Sequence, residues 1–142
     1  MKSLGLVFCT KRKQVFPCKA SEMYLPSNLF SKAYAYCKKN YDQVAILSAK
    51  YGLLLPDDPI EPYDLTLKSM RDVEVRAWSE KVFTQMQKRL DLEEISSVFF
   101  HAGDKYRKYL IPMLKDLGIK CETPLLGLGI GKQLRWYNEH DC

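Results

Sequence analysis

Residues 43–49, Q-V-A-I-L-S-A, form a short, mostly apolar run, and K-Y-G-L-L-L-P (50–56) follows it directly. A run this brief, with no polar alternation, reads as a strand buried on both faces. Working outward, Leu4–Cys9 (L-G-L-V-F-C) and Ile95–His101 (I-S-S-V-F-F-H) read the same way, and Lys120–Leu126 gives a fourth, shorter strand. Between them lie helical spacings. Leu29, Phe30, Ala33, Tyr34 and Cys37 recur behind a Ser27 N-cap, and Val73, Ala77, Val82, Met86 and Leu90 behind Thr66 or Ser69. Asp104 opens a helix that runs to Leu117 and is stopped by Gly118; a last helix covers Gly131 to Asn138. Strands alternating with helices predict an α/β fold: a three-layer sandwich around a mainly parallel four-stranded sheet, in one domain over residues 1–142. In such a sheet, ligands sit beyond the carboxyl ends of the strands.

Composition agrees with a globular chain. Of 142 residues, 46% are hydrophobic and 27% charged, which excludes wholesale disorder and collagen-like repeats. No apolar run reaches the roughly 18–20 residues of a membrane span. The amino terminus, which runs into Lys11-Arg12-Lys13 without a small-residue cleavage site, does not read as a signal peptide. The expectation is a soluble cytoplasmic domain with no membrane partner. Five cysteines with no close C-x-x-C pair are expected to be reduced, with no metal and no cofactor. The net charge of +5 is unevenly placed: residues 1–41 carry eight Lys/Arg against Glu22 alone, or +7, and the remainder fourteen against sixteen, or −2. Such a cationic first third either attracts an anion such as phosphate or nucleic acid, or serves solubility.

The strand ends carry the candidate chemistry. After the first come Cys9, Thr10, Lys11, Arg12 and Lys13, a hydroxyl and three cations suited to phosphate. No G-x-x-x-x-G-K-[ST] is present, which argues against a P-loop nucleotide triphosphatase. After the second come Ser48, Tyr51 and Gly52, then Glu61-Pro62-Tyr63-Asp64: rings, hydroxyls and carboxylates on one proline-stiffened segment. After the third, Asp104 reads as a helix cap and His101 as a structural hydrogen-bonder or a proton donor. The glycines at 127, 129 and 131 lack dinucleotide-binding spacing.

C-T-K-R-K at 9–13, L-S-A-K-Y-G-L-L-x-P at 47–56 and E-P-Y-D at 61–64 resemble an uncharacterised bacterial and phage domain family, a likeness that extends to G-L-G-I-G-K-Q-L at 127–134. The first two strand ends are distantly similar to the YaaA peroxide-stress proteins and to the small α/β domain of archaeosine synthases. These likenesses imply a sheet akin to uracil-DNA glycosylases and a setting of nucleic acid, DNA favoured, or nucleotides. The resulting expectation is an N-glycosidic bond hydrolase or transferase, a DNA glycosylase or nucleotide N-glycosidase acting on a modified base. Such a reaction passes through an oxocarbenium-like state that a carboxylate stabilises. Asp64 is the first choice for that carboxylate and Glu61 the second, with His101 donating to the departing base. Cys9, Thr10, Lys11, Lys13, Ser48, Tyr51, Gly52 and Tyr63 would bind substrate, the lysines at phosphate and the tyrosines stacked on the base. The alternative is a non-catalytic nucleic-acid-binding module linked to DNA damage or phage functions.

Overall fold

The computed structural model describes residues 2–140. Its elements are β1 (Lys2–Phe8), β2 (Cys18–Lys19), α1 (Ala20–Met23), α2 (Asn28–Asn40), β3 (Gln43–Ser48), β4 (Gly52–Leu54), β5 (Pro59–Ile60), α3 (Asp72–Arg89), β6 (Ile95–His101), α4 (Asp104–Arg107), α5 (Leu110–Asp116), β7 (Lys120–Glu122) and α6 (Ile130–Glu139). The main sheet has five strands, not four, in the order β4-β3-β1-β6-β7. All neighbours are parallel except β3 and β4. The extra strand, β4, comes from the K-Y-G-L-L-L-P stretch that directly follows β3. Gly52 adopts φ +78, a left-handed conformation open to glycine, and turns the chain back along β3.

β1 connects to β3 on one side, and the chain then crosses to β6 on the other. Right-handed crossovers in opposite directions put their helices on opposite faces. Accordingly α2 packs with α6 and α3 packs with α5. The direction reverses beside β1, so the carboxyl ends of β1 and β6 define the crevice where such sheets take ligands. The core is filled by Leu4, Leu6, Ile46, Leu47, Leu53, Phe100 and Met86, all essentially inaccessible. Each contributes about 1.5–3 kcal/mol of burial free energy. Gly5, in the middle of β1, is required for space: a Cβ there would lie 2.5 Å from the Tyr41 ring.

Two further differences have local causes. The helix expected over 104–117 is two, α4 and α5, because Pro112 lacks an N–H and its ring clashes with the carbonyl one turn back, at Lys108. The fourth predicted strand stops at Glu122, where a turn closes with the Leu126 N–H donating to the Thr123 carbonyl at 3.1 Å. The long loops over 10–26 and 50–66 are ordered by each other. β2 pairs with β5, and the Ala20 and Ser21 amides donate to the carbonyls of Asp58 (2.8 Å) and Pro56 (3.0 Å). Arg89 grips the Asp58 carboxylate through both terminal nitrogens at 2.5 and 2.8 Å, a bidentate geometry that fixes the loop to α3. Among the described residues, no helix is long and apolar enough to cross a membrane.

Candidate functional site

Where β1 and β6 end, a groove of about 1120 Å³ opens across the molecule. Cys9 and Tyr106 lie along its floor, and Lys11 and Arg12 project from the loop after β1. Asp64, Thr66 and Lys68 line the groove from the segment after β5, and Ser27 and Asn28 from the start of α2. A helix start presents unpaired N–H groups and the positive end of its dipole, which adds to the charge of Lys11 and Arg12. Ser27 caps that helix, its Oγ accepting from the Phe30 N–H at 3.2 Å. Lys105, also in the lining, braces that segment. Its ammonium donates to the carbonyls of Leu67, Lys68 and Met70 at 3.3, 3.0 and 2.8 Å, holding the turn that follows Thr66.

Behind Asp64 runs a chain of hydroxyls. Tyr63 Oη lies 2.7 Å from Tyr24 Oη and 2.8 Å from Ser48 Oγ, and Ser48 Oγ also accepts from the Tyr51 N–H at 3.0 Å. Burial pushes the Tyr24 phenol up to about 12 and raises Tyr63 further, so both stay neutral. Lys13 extends over the Tyr63 ring with its Nζ 4.4 Å from the centroid. Burial lowers its pKa, while Cys9 and the Asp64 carboxylate pull it back up. Trp78 donates its indole N–H to the Ser48 carbonyl at 2.8 Å, fixing the end of β3 from below. Tyr106 Oη donates to the Cys9 carbonyl at 3.1 Å and lies 3.3 Å from its Sγ.

The sequence-derived candidates therefore divide. Cys9, Thr10, Lys11 and Asp64 line the groove, and Lys13 and Tyr63 stand beside Asp64. Thr10 also ties its own loop, its hydroxyl donating to the Arg12 carbonyl at 2.8 Å. Ser48 sits beneath, fully buried and engaged by Tyr63 and Tyr51. Tyr51 does not line the groove; its ring meets Tyr63 edge-on at 5.7 Å, and its hydroxyl accepts from the Glu61 N–H at 3.2 Å. That hydrogen bond places Glu61 beside Tyr51, also outside the groove lining. Gly52 turns the β3–β4 hairpin, and a Cβ there would collide with Gln85 Oε1 at 2.2 Å.

His101 is buried, with Nε2 2.7 Å from Tyr41 Oη and Nδ1 2.8 Å from Tyr137 Oη. Burial drops its pKa to about 4, so it is neutral near pH 7. With both nitrogens engaged, neither is free to donate to a departing base. It does line a smaller cavity of about 370 Å³ that shares Cys9, Gly103 and Tyr106 with the groove. Sequence reasoning missed Tyr24, Asn28, Lys68, Tyr106 and Trp78. Tyr106 follows a strand end closely enough for the strand-end rule to reach it, whereas nothing in spacing marks Tyr24 or Trp78. Cys9, Cys18, Cys37 and Cys121 are free thiols, and Cys142 lies outside the described residues. No group of three or more potential metal ligands occurs among the described residues.

Fold and groove together define an open, doubly wound α/β domain with a cationic crevice at its switch point. Residues 4–139 match the model of DUF6884, a family of unknown function, and the chain belongs to that family. It is 32% identical over 123 residues to the uncharacterized protein YfjM of Bacillus subtilis (strain 168), covering 78% of this chain and 75% of that protein. Among solved structures it is similar in fold to AF0587, a protein of unknown function, with a TM-score of 0.55 at 16% identity. That similarity covers 99% of this chain and 44% of the AF0587 chain, so the present chain spans less than half of that protein.

Proposed function

We propose that the groove binds a nucleotide unit, in DNA or free, and that Asp64 assists hydrolysis of its N-glycosidic bond. The observation that carries this reading is the meeting of Lys11, Arg12 and Asp64, from distant parts of the chain, on one groove at the sheet's switch point. The cations and the start of α2 suit phosphate, and the carboxylate suits a sugar that gains positive charge as its base departs. In the step, a water oxygen bonds to the anomeric carbon as the carbon–nitrogen bond breaks. Asp64 takes the water proton and passes it to solvent, and the departing base is protonated from solvent. The base must leave the stack first if the substrate is duplex. The likeness of the 9–13 and 47–64 motifs to the YaaA and archaeosine synthase families, and through them to glycosylase-like sheets, supports the same setting.

The test is base release from DNA carrying varied modified bases and from free nucleotides. Wild-type protein is expected to release base, and Asp64→Asn to lose turnover by at least about 100-fold, the scale of a positioned proton-transfer group. Asp64 is exposed, so the same variant is expected to unfold within about 0.5 kcal/mol of wild type. Full activity in the variant would remove Asp64 from the role. A second reading, a binding module without catalysis, is favoured by the engaged nitrogens of His101. Nucleic acid bound at low salt with no base released from any substrate would establish it in place of the first.

A further inference from the structure

The first helix layer differs in charge from the second. On α2, Lys32, Lys38 and Lys39 face no acid of their own helix; on α6, Lys132 and Arg135 are opposed by Glu139 alone. On α3 and α5, five cations meet four acids, and several of these pair, as Arg71 with Glu74 beside α3's start and Arg76 with Glu80 within it. Among the described residues, none of the five cations on α2 and α6 forms an ion pair. Lys38 and Lys39 are well placed for the carboxyl end of α2, but Lys132 stands in the first turn of α6, where the helix dipole disfavours a cation. Helix stability therefore accounts for Lys38 and Lys39 but not for Lys132.

Between the two helices lies a cleft of about 290 Å³ lined by Lys32, Lys39, Tyr36, Asn138 and His140. Asn28 borders both this cleft and the large groove, so the two surfaces are continuous across the start of α2. Lys32 is held at the cleft by a 2.7 Å hydrogen bond from its Nζ to Asn138 Oδ1. Aromatic rings stand among the cations. Trp136, half-buried, stacks on His140 with centroids 4.0 Å apart and meets Tyr36 at 4.9 Å. Cations interleaved with rings, leading away from the groove, suit a polynucleotide backbone and its bases.

We infer that the substrate is a polynucleotide whose strand leaves the groove over Asn28 and continues along the cleft between α2 and α6. This rests on the nucleotide reading of the groove and names its substrate class: a polymer, with the α2/α6 cleft as a second contact. A free nucleotide would then occupy the groove alone.

The test compares a deoxynucleoside monophosphate with a single-stranded deoxyoligonucleotide of about twelve residues, followed by intrinsic tryptophan fluorescence and by calorimetry. Lys32→Ala with Lys39→Ala is expected to weaken the oligonucleotide at least tenfold. It should also reduce the magnitude of the slope of log affinity against log salt by about 1.4, two phosphate contacts at about 0.7 each. Mononucleotide affinity should not change. Lys39→Glu, at a side chain that makes no hydrogen bond among the described residues, should weaken the oligonucleotide in the same direction and keeps the test valid if the double variant unfolds. Equal loss for both ligands, or no loss for the oligonucleotide, overturns the inference. So does an effect confined to anionic lipid vesicles, which would make the face a membrane-surface contact. Lys11→Ala with Arg12→Ala tests the groove separately: unchanged mononucleotide binding there would sink the groove reading and with it the strand's path out of the groove, whereas a loss confined to the Lys32 and Lys39 variants' oligonucleotide binding fails or holds independently of that result.

Discussion

At the scale of single residues, His101 shows how a strand-end histidine becomes structural. Tyr41 and Tyr137 take both of its nitrogens, and the Tyr36 and Trp136 rings, with centroids 5.4 and 6.3 Å from its own, add to the enclosure. Its folded pKa of about 4 lies below the unfolded value near 6.5, so the unfolded chain binds more protons between these values. Stability from this group is full above about pH 6.5 and is lost as pH falls toward 4. The expected loss is about 2 kcal/mol between pH 7 and pH 5, a range above most carboxylate titrations. Urea midpoints across that range should fall in the wild type, and the slope should flatten in His101→Gln. An unchanged midpoint in the wild type would show a solvated ring. The sequence exposed the residue and its position but not its partners, because Tyr41 and Tyr137 are separated from it by 60 and 36 positions.

Elements tell a different story. The buried strands were legible because each is a short apolar run, and β1, β3 and β6 fall within two residues of their expected starts. What escaped was pairing between loops. β4 needs Gly52 at positive φ and Gln85 from α3, whose Oε1 accepts from the Leu53 N–H at 2.8 Å and whose Nε2 donates to the Tyr51 carbonyl at 3.0 Å. No local pattern announces a side chain from a helix more than thirty residues away. Gly52→Ala forces both an unfavourable backbone angle and a collision with Gln85, and is expected to destabilise by about 2–3 kcal/mol. Chemical denaturation reads this directly. A change under about 0.5 kcal/mol would mean that the hairpin relaxes freely.

Across the whole molecule, the uneven charge seen in the sequence resolves into a layer. The +7 of the first 41 residues includes the groove loop and all of α2, but α6 joins that face only because the chain returns to it at the end. Likewise Lys11 and Asp64 share the groove because their two loops are tied by the β2–β5 ladder, while Tyr51, close to Asp64 in sequence, turns back into the loop packing. The strand-end rule located the crevice; it could not tell which residues of each loop face into it, since that depends on the β2–β5 ladder and the Arg89–Asp58 clamp.

The central claim is that the crevice at the ends of β1 and β6 takes a nucleotide. Amide chemical-shift mapping of the full chain with a deoxynucleoside monophosphate tests it most directly. Saturable shifts concentrated at residues 9–12, 27–29, 64–69 and 103–106, weakened by Lys11→Ala with Arg12→Ala, are the predicted result. Shifts confined to the α3 and α5 face, or none at millimolar nucleotide, would contradict it.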